Sequence, residues 1–536
     1  MTMTKNYKIL NDCRGMYEQD IFDTIISQRH IDDPEQFFNP TEDDLLPLDS
    51  LKNIDKAFLR VEKALQNDEN IAILFDTDTD GVTSGAIITR YLSNFANNEI
   101  ITFIDEGKQH GLIGQDLKKF LSFDLLIIVD SLDKNTSQYE KLKQSGVDIV
   151  ILDHHAINPK IPYDDVAILV SSQRDYDNPQ LSGAGVTWKF CKYFDAMYET
   201  TYADELVDLA ACGLVGDMMD MTVMENRYIV SKGLEHIYNL ALKKIVGGFE
   251  FNSTAISFSV APIINASNRM NQNDIAMKAF LEDDNKKVLA YIKQLKKCKE
   301  DQNKEVSKLL PEIMEQCENQ INKKMIVTRI DTPYGVSGLL GNKLLEKYQR
   351  PILVIKDIGN EFAGSMRATG LDDFRAVCNG SHLASAEGHE LASGITIKKS
   401  NLKKFSDYIE STLPPLKKDA VEEIDIQIDI SDMTRSLVDL IKKIDRISGT
   451  NFKPVKVFID GIEDYTIGQM SDYKHLVVKP TDYIYLIKWN FNGDFEEMED
   501  HALMNDELEV IGNLDSGFFG RKFVLKTVCD EIKVIA

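Results

Sequence analysis

Three short apolar stretches of the chain each end in acidic or imidazole side chains. In chain order, the side chains that follow these stretches are Asp76, Asp78 and Asp80, then Asp130, and then Asp153, His154 and His155. Carboxylates and neutral imidazoles without a thiolate form a hard to borderline ligand set. Such a set suits Mn²⁺ or Mg²⁺ better than structural Zn²⁺. The residue types and their positions therefore predict a site for divalent cations.

The elements that must position these side chains are buried strands. Each stretch is rich in Ile, Leu and Val, which is typical of a strand buried on both faces. Helical patterns separate the stretches, so we expect βαβ units and a parallel sheet, in which the carboxyl ends of the strands line the active crevice. The predicted strands are residues 71–75, 99–104, 123–129, 147–152 and 166–170.

A single aspartate after a strand is more often the cap of the next helix than a metal ligand. Capping does not explain an Asp-x-Asp-x-Asp-Gly motif, Asp130 and an Asp-His-His motif at the ends of strands of one sheet. Two divalent ions about 3.5–4 Å apart can share a carboxylate and activate water for attack on phosphorus. That reaction needs no protein nucleophile, so the pattern favours hydrolysis of a phosphoester.

Composition limits the classes of function. The 536-residue chain has a net charge of −25, from 61 basic and 86 acidic residues, which argues against a nonspecific DNA-coating protein. It does not exclude a nucleic-acid enzyme with a local basic channel. The seven cysteines contain no CxxC pair and predict reduced thiols. No apolar stretch approaches the roughly 18 residues of a membrane span. We expect a cytoplasmic protein with no membrane partner.

The chain divides into four predicted parts. Residues 1–272 hold an N-terminal segment and the parallel-sheet domain, and residues 273–320 read as one long connecting helix. Residues 321–412 form a smaller α/β domain. Residues 413–536 begin with a proline-rich linker and continue as short alternating strands, which predict a small β-barrel.

The acidic and Asp-His-His motifs resemble the DHH phosphoesterase superfamily, and most closely the RecJ single-strand-specific exonucleases, along nearly the whole chain. Further segments follow in the family's order at residues 181–186, at Asp217 with residues 225–227, and at residues 264–270, 364–367 and 388–394. The resemblance implies an α/β fold with a parallel-sheet DHH domain. A long helix would join it to a smaller α/β DHHA1 domain, and an oligonucleotide-binding (OB)-like β-barrel would follow at the C-terminus.

By position, the resemblance implies a centre for two divalent ions, with Mn²⁺ favoured and Mg²⁺ as the alternative. Asp76 would bind the first ion. Asp78, His154 and Asp217 would bind the second ion, and Asp130 would bridge both.

Four residues are expected to take part in catalysis: Asp130 as the shared ligand, and Asp80, Asp153 and His155 around it. Asp80 either completes the shell of the first ion or orients the loop. Asp153 would fix an imidazole. His155 would contact the scissile phosphate, as a donor or in proton transfer, unless it is a structural partner of the loop.

The resemblance also implies contacts with the substrate. Ser365 and Arg367 resemble the family's grip on a terminal phosphate, since a guanidinium binds phosphate in a directional, bidentate way. The alternative for Arg367 is a surface ion pair. The other expected substrate contacts are Arg269, Asn265, His389 and Lys108.

Some of these positions carry alternatives or depart from the family pattern. Asn265 could equally be a turn residue, and Glu387 stands where the family has a glycine before the Gly-His pair. The segment around Lys108 lacks the family's arginine. Lys108 would take its place, with a compact ammonium group instead of a planar guanidinium that can donate two hydrogen bonds at once.

The implied activity is a two-metal, 5′→3′ exonuclease that degrades single-stranded DNA and releases 5′-nucleotides. The first alternative is a phosphodiesterase for short oligonucleotides or cyclic dinucleotides, although such substrates need neither the barrel nor the long helix. The second is a noncatalytic replication scaffold, although the chain keeps its ligand residues. The expected partner is single-stranded DNA with a 5′ end, and a single-strand-binding protein or a helicase is the candidate protein partner.

Overall fold

The computed structural model describes residues 6–105, 110–415, 421–470, 474–491 and 493–535. The chain forms two compact units. The larger unit contains Tyr7–Ala261, Met277–Leu289 and Glu423–Ala536, and the smaller contains Met1–Asn6, Pro262–Ala276 and Ala290–Glu422. The four-part division at residues 272, 320 and 412 stays a prediction.

A five-stranded sheet, with every pair of neighbours parallel, forms the centre of the larger unit. The predicted strands are confirmed, with ends shifted by one or two residues. Their spatial order is Ile101–Ile104, Ile71–Phe75, Leu125–Val129, Asp148–Asp153 and Ile168–Ser171. Ile71–Phe75 and Leu125–Val129 are buried at every position, as the unbroken apolar runs predict for inner strands covered on both faces.

The larger unit also contains helices along most of its length. They are Glu18–Gln28, Pro34–Phe38, Ile54–Gln66, Thr79–Leu92, Ser137–Gln144, Gly183–Tyr198, Val207–Gly216, Met224–Gly233, Leu240–Val246, Ser253–Ala255, Arg435–Asp445 and Phe495–Met504, with a π-helical turn at Ile256–Val260. Three further helices include residues of both units: Ala261–Arg269, Asp274–Leu281 and Asn285–Glu318.

Two predicted elements differ from the structure. The sequence of residues 181–186 predicts a flexible loop that leads into an amphipathic helix. In the structure that helix already begins at Gly183, because Ser182 caps it by accepting the N–H of Gly185. The single helix expected over residues 273–320 is interrupted between Leu281 and Asn285. The side chain of Asp284 accepts the N–H groups of Lys286 and Lys287 and so starts the second helix.

The smaller unit is an α/β domain, as predicted. Its sheet has the order Ala384–Gly388, Ala392–Lys398, Glu361–Arg367, Ile352–Asp357 and Ile326–Arg329, with only the last pair parallel. The helices Ser337–Tyr348, Phe374–Gly380 and Leu402–Thr412 accompany it. The strand Ala384–Gly388 was not predicted.

The C-terminal β structure is a seven-stranded, mixed sheet. Its order is Ile426–Asp429, Val457–Ile462, Glu507–Phe519, Lys522–Ile535, Ile484–Lys488, His475–Lys479 and Thr466–Met470. In the described part of the chain no ladder joins the first and last strands of this order. The β-rich domain is therefore present, but the expected closure into a barrel is not observed there. The N-terminal segment forms hydrogen bonds with the start of this C-terminal region: the N–H of Leu10 donates to Ile424 O, and the N–H of Gln427 donates to Asn11 O.

The cysteine side chains lie in the interior of the protein. All seven are buried, with free thiols, as their scattered positions predicted. Over the described ranges, none of the helices has both the length and the apolar character required to span a bilayer.

Candidate metal centre

The Asp-rich loop begins directly after the buried strand Ile71–Phe75. Asp78 caps the helix Thr79–Leu92 by accepting the N–H of Gly81 at 3.1 Å. Gly81 lies against the loop so closely that an added Cβ would be 2.3 Å from the carbonyl oxygen of Asp76. The tight turn therefore needs a glycine there, and it brings Asp76 and Asp78 to the end of the strand.

Asp80 faces the start of another helix. Its Oδ2 accepts the N–H of Gly183 at 2.7 Å and its Oδ1 accepts the N–H of Ala184 at 3.0 Å. These backbone groups belong to the first turn of Gly183–Tyr198, where N–H groups lack intrahelical partners and the helix dipole favours negative charge. Of the two roles expected for Asp80, this geometry favours orienting the loop.

Asp130 follows the strand Leu125–Val129 in a left-handed conformation with φ of 53°. An aspartate tolerates this region better than most residues. Asp130 is 2% exposed, and its side chain packs against Gly183, where an added Cβ would lie 2.7 Å from Asp130 Oδ1. The backbone of this helix start thus fits between Asp80 and Asp130.

His154 is the point at which the carboxylates meet. Its Nε2 lies 3.1 Å from Asp130 Oδ1 and 3.5 Å from Asp217 Oδ2. Asp80 Oδ2 is 3.7 Å away. Asp217 arrives from the end of the helix Val207–Gly216, so the groups come from segments far apart in sequence.

His155 is held by Asp153. Its Nδ1 lies 3.2 Å from both carboxylate oxygens, and its backbone N–H donates to Asp153 Oδ1 at 2.6 Å. Burial alone would raise the pKa of Asp153, but the neighbouring His155 lowers it to about 2. Burial opposes the charge of His155, yet Asp153 raises the pKa of His155 to about 10. The pair is therefore an ionised carboxylate and an imidazolium.

The remaining carboxylates repel one another. Burial, and then the charge of Asp78, raise the pKa of Asp76 to about 6. Burial and the carboxylates around the site raise the pKa of Asp78, and they raise the pKa values of Asp130 and Asp217 well above the usual range. Bound cations would remove this repulsion by holding the groups in their ionised form.

The donor set fits divalent cations. Ligand atoms lie within 4.8 Å of one another in four overlapping groups: Asp76, Asp78 and Asp130; Asp130, His154 and His155; Asp80, His154 and Asp217; and Asp76, Asp105 and His110. Asp130 Oδ1 is buried and accepts no hydrogen bond among the described residues. Oxygen donors with one or two imidazoles are the ligands of Mn²⁺ and Mg²⁺ rather than of structural zinc.

Two members of these groups were not predicted as site residues. His110 Nδ1 lies 3.7 Å from Asp76 Oδ2, and the ring centroids of His110 and His155 are 4.5 Å apart. Asp105 is 1% exposed, and burial raises its pKa to about 8. Asp105 directly follows the strand Ile101–Ile104, so the rule that selected the other strand-end acids would have found it.

The two residues predicted to bind a terminal phosphate, Ser365 and Arg367, lie in the smaller unit. Arg367 donates from Nε to Asn342 Oδ1 at 2.7 Å, and Ser365 Oγ lies 2.9 Å from Ser337 Oγ. Ser337 begins the helix Ser337–Tyr348, so the free N–H groups of a helix start accompany the guanidinium. Ser337 and Asn342 were not predicted, because only the tertiary fold brings them to this strand.

Other cations surround Arg367. Burial, and then the charge of Arg269, lower the pKa of Arg367. Burial, and then the charges of Arg269 and Lys343, lower the pKa of Lys299. The predicted contacts Arg269 and Arg367 therefore share one positive cluster with two lysines, which suits a phosphate.

The last predicted contacts have separate positions. Asn265 lies in the helix Ala261–Arg269, not in a turn. His389 is exposed in the turn between the strands Ala384–Gly388 and Ala392–Lys398, the second of which pairs with the strand of Arg367. Lys108 lies outside the described residues.

Comparison with known proteins agrees with this geometry. Residues 70–214 match the DHH family, N-terminal domain. YorK from the SPbeta prophage of Bacillus subtilis, named as a single-strand DNA-specific exonuclease, is 28% identical over 437 residues, covering 74% of each chain. The single-stranded-DNA-specific exonuclease RecJ of B. subtilis is 28% identical over 466 residues, covering 81% of this chain and 56% of that protein.

The fold agrees with a solved structure. The crystal structure of RecJ from Thermus thermophilus in complex with Mn²⁺ superposes with a TM-score of 0.76 at 19% identity, covering 98% of this chain and 79% of that chain. The strand-end carboxylates, the Asp-His-His motif and the sequence and fold matches agree. Residues 70–214 match the DHH family, and over most of its length the chain is similar to single-strand-specific exonucleases named RecJ and shares their fold.

Proposed function

We propose that the protein is a divalent-metal-dependent exonuclease that degrades single-stranded DNA from a 5′ end and releases 5′-nucleotides. The observation that carries the proposal is the position of His154, whose Nε2 lies within 3.7 Å of carboxylates from three separate segments. The named activities of YorK and RecJ supply the substrate class. Two ions, most readily Mn²⁺, would be held by Asp76, Asp78, Asp130, His154 and Asp217.

Two divalent ions, when bound, supply Lewis acidity, which polarises a phosphate oxygen and lowers the pKa of water. Asp130, which belongs to two of the candidate ligand groups, would be the carboxylate that both ions share. Asp153 occupies Nδ1 of His155 and keeps the ring protonated, so Nε2–H is the group left to donate to an oxygen of the scissile phosphate. His155 thereby stabilises the negative charge that develops on that phosphate.

The positive cluster in the smaller unit supports the preference for a strand end. Arg367 and Ser365, with the helix start at Ser337, present donors that match a terminal phosphate. Capture of a 5′-phosphate would make cleavage proceed from the end rather than internally. Arg269, Asn265, His389 and Lys108 are the further proposed contacts with the strand.

The four predicted parts receive roles in this proposal. Residues 1–272 carry out hydrolysis, residues 273–320 connect, residues 321–412 hold the strand end, and residues 413–536 bind further nucleotides. In the last part, Phe518 and Trp489 are 75% and 46% exposed, so their rings are accessible for stacking on bases. The net charge of −25 makes binding sensitive to salt, and a single-strand-binding protein or a helicase would deliver the strand.

The test is digestion of single strands labelled at one end or the other, with Mn²⁺, with Mg²⁺ and with chelator. We expect a 5′ label to appear at once in mononucleotide, and a 3′ label to appear in a ladder of progressively shorter strands. Chelator should stop both reactions. Release of the 3′ label first, or activity in chelator, would contradict the proposal.

Two further substrates separate the alternatives. A blunt duplex should resist degradation, because the proposal requires a channel that admits one strand. A dinucleotide or a cyclic dinucleotide should be cleaved more slowly than a long 5′-phosphorylated strand, whereas a small-substrate phosphodiesterase would show the reverse order. A noncatalytic scaffold would degrade none of these substrates.

A further inference from the structure

Asp76 has an imidazole neighbour that does not belong to the Asp-His-His motif. His110 Nδ1 lies 3.7 Å from Asp76 Oδ2. A carboxylate oxygen of Asp105 completes this group, in which the three ligand atoms lie within 4.8 Å of one another. With metal–ligand bonds of about 2.1–2.2 Å, two neighbouring donors on one ion stand roughly 3.0–3.7 Å apart. The distance between His110 and Asp76 fits that spacing.

Two polar atoms of this group are buried without a hydrogen-bond partner among the described residues. They are His110 Nδ1 and Asp105 Oδ1. Asp105 is 1% exposed, so bulk solvent does not reach this oxygen. Buried polar atoms in native proteins nearly always have a hydrogen-bond partner. Two buried atoms without such a partner, next to an expected metal ligand, therefore indicate a bound cation.

The strand ends hold the backbone beside His110 in place. The N–H of Gly111 donates to Ser131 Oγ at 2.7 Å and to Asp105 Oδ2 at 3.2 Å, and the N–H of Leu112 donates to Asp133 Oδ1 at 2.8 Å. Gly111 has a φ of 76°, and a Cβ there would lie 2.0 Å from Asp133 Oδ1. This backbone is therefore a fixed turn, as a ligand position requires.

We propose that His110 and Asp105 are ligands of the same divalent ion as Asp76, so that the first ion has a nitrogen donor of its own. This inference rests on the proposed function, because it assumes an ion at Asp76. An imidazole suits Mn²⁺ better than Mg²⁺, which prefers oxygen donors. His110 would therefore contribute to a preference of the first site for Mn²⁺.

The test measures metal binding by the full-length protein rather than activity. Titration calorimetry with Mn²⁺ and with Mg²⁺ would be done on the wild type, on His110→Ala and Asp105→Asn, and on the control His236→Ala, which alters an exposed histidine of the same unit. We expect His110→Ala to weaken one of two Mn²⁺ sites by about 10–100-fold, with a smaller change for Mg²⁺. Asp105→Asn should weaken the same site, and the control should match the wild type.

Pulsed electron paramagnetic resonance of bound Mn²⁺ gives a readout independent of affinity. The wild type should show nitrogen couplings from two imidazoles, and His110→Ala should lose one set. His110→Gln provides a second variant that keeps more of the side-chain volume beside the turn, and thermal unfolding in chelator checks that each variant is folded. Unchanged Mn²⁺ affinity together with unchanged nitrogen couplings in folded variants would overturn the inference.

The two proposals fail in different ways. If the wild type binds two Mn²⁺ ions and degrades single strands while His110→Ala leaves both sites intact, only the role of His110 falls. If the wild type binds no divalent ion, the proposed function falls with it.

Discussion

Both carboxylate oxygens of Asp153 lie 3.2 Å from Nδ1 of His155. The carboxylate is fully buried, yet the pair holds its pKa at about 2 and the pKa of His155 at about 10. Two groups that burial alone would neutralise are thus kept charged by each other. The charge of the imidazole beside the metal centre therefore depends chiefly on Asp153, with smaller contributions from Asp76 and Asp217.

Asp153→Asn should shift the alkaline limb of the pH–rate profile downward. In the wild type we expect His155 to stay protonated at neutral and moderately alkaline pH, because Asp153 raises its pKa to about 10. Without the negative partner, its pKa falls toward the usual value near 6.5. We expect the rate of Asp153→Asn at pH 9, relative to pH 6.5, to drop at least about tenfold more than in the wild type.

The measurement is initial rate at saturating Mn²⁺ from pH 6 to 10, with the exposed Asp500→Asn as the control. A profile of Asp153→Asn parallel to that of the wild type would show that His155 does not act as a cation.

Asp130→Asn should abolish hydrolysis without unfolding the protein. Asparagine tolerates the left-handed φ of 53° at this position, but it is a poor bridge between two cations. We expect a loss of at least about 100-fold in rate, with single-strand binding changed only a few-fold. Asp175, which is exposed and has a φ of 55°, provides the matched control Asp175→Asn. Full activity of Asp130→Asn would refute the shared-ligand assignment.

Arg367→Lys should discriminate less between strands with a 5′-phosphate and strands with a 5′-hydroxyl. Lysine keeps the charge but loses the fork of donors that matches a phosphate. We expect KM for the phosphorylated strand to rise about tenfold, and KM for the hydroxyl strand to change little. Arg329→Lys, in another strand of the same sheet, is the control. Equal losses on both substrates would remove the role in end recognition.

Asp80→Asn should cost stability more than metal binding. The two oxygens accept N–H groups of Gly183 and Ala184, and the amide replaces one acceptor by a donor. We expect a loss of about 1–2 kcal/mol in the free energy of unfolding, read from denaturant titrations in chelator. Asp33→Asn, at an exposed helix cap where asparagine is equally suitable, should be nearly neutral. Loss of a Mn²⁺ site without a loss of stability would instead make Asp80 a ligand.

The sheet and its acidic ends could be predicted from sequence because both depend on local patterns. An apolar run such as residues 71–75 identifies a strand, and parallel strands bring their carboxyl ends together whatever lies between them. The break before Asn285 had a local signal in Asp284, a helix cap inside a charged segment.

Other features depend on contacts between distant segments. The hydrogen bonds between Asp80 and Gly183 and between Ser365 and Ser337 produce no pattern in the sequence from which they could be predicted. The order of the strands in a sheet is not visible in the sequence either. The alternating pattern of the C-terminal strands is compatible with a barrel, but the strands Ile426–Asp429 and Thr466–Met470 were not predicted. These two strands form the edges of the sheet.

The first turn of the helix that begins at Gly183 contacts two carboxylates of the candidate metal centre. Asp80 binds its first N–H groups, and Asp130 lies where a side chain on Gly183 would be. A tilt of the helix would therefore displace two carboxylates at once. Substitutions of buried apolar residues of this helix, for example Phe190, can therefore alter turnover although these residues contact no metal ligand. We expect the helix to accept fewer substitutions during evolution than its distance from the reacting groups suggests.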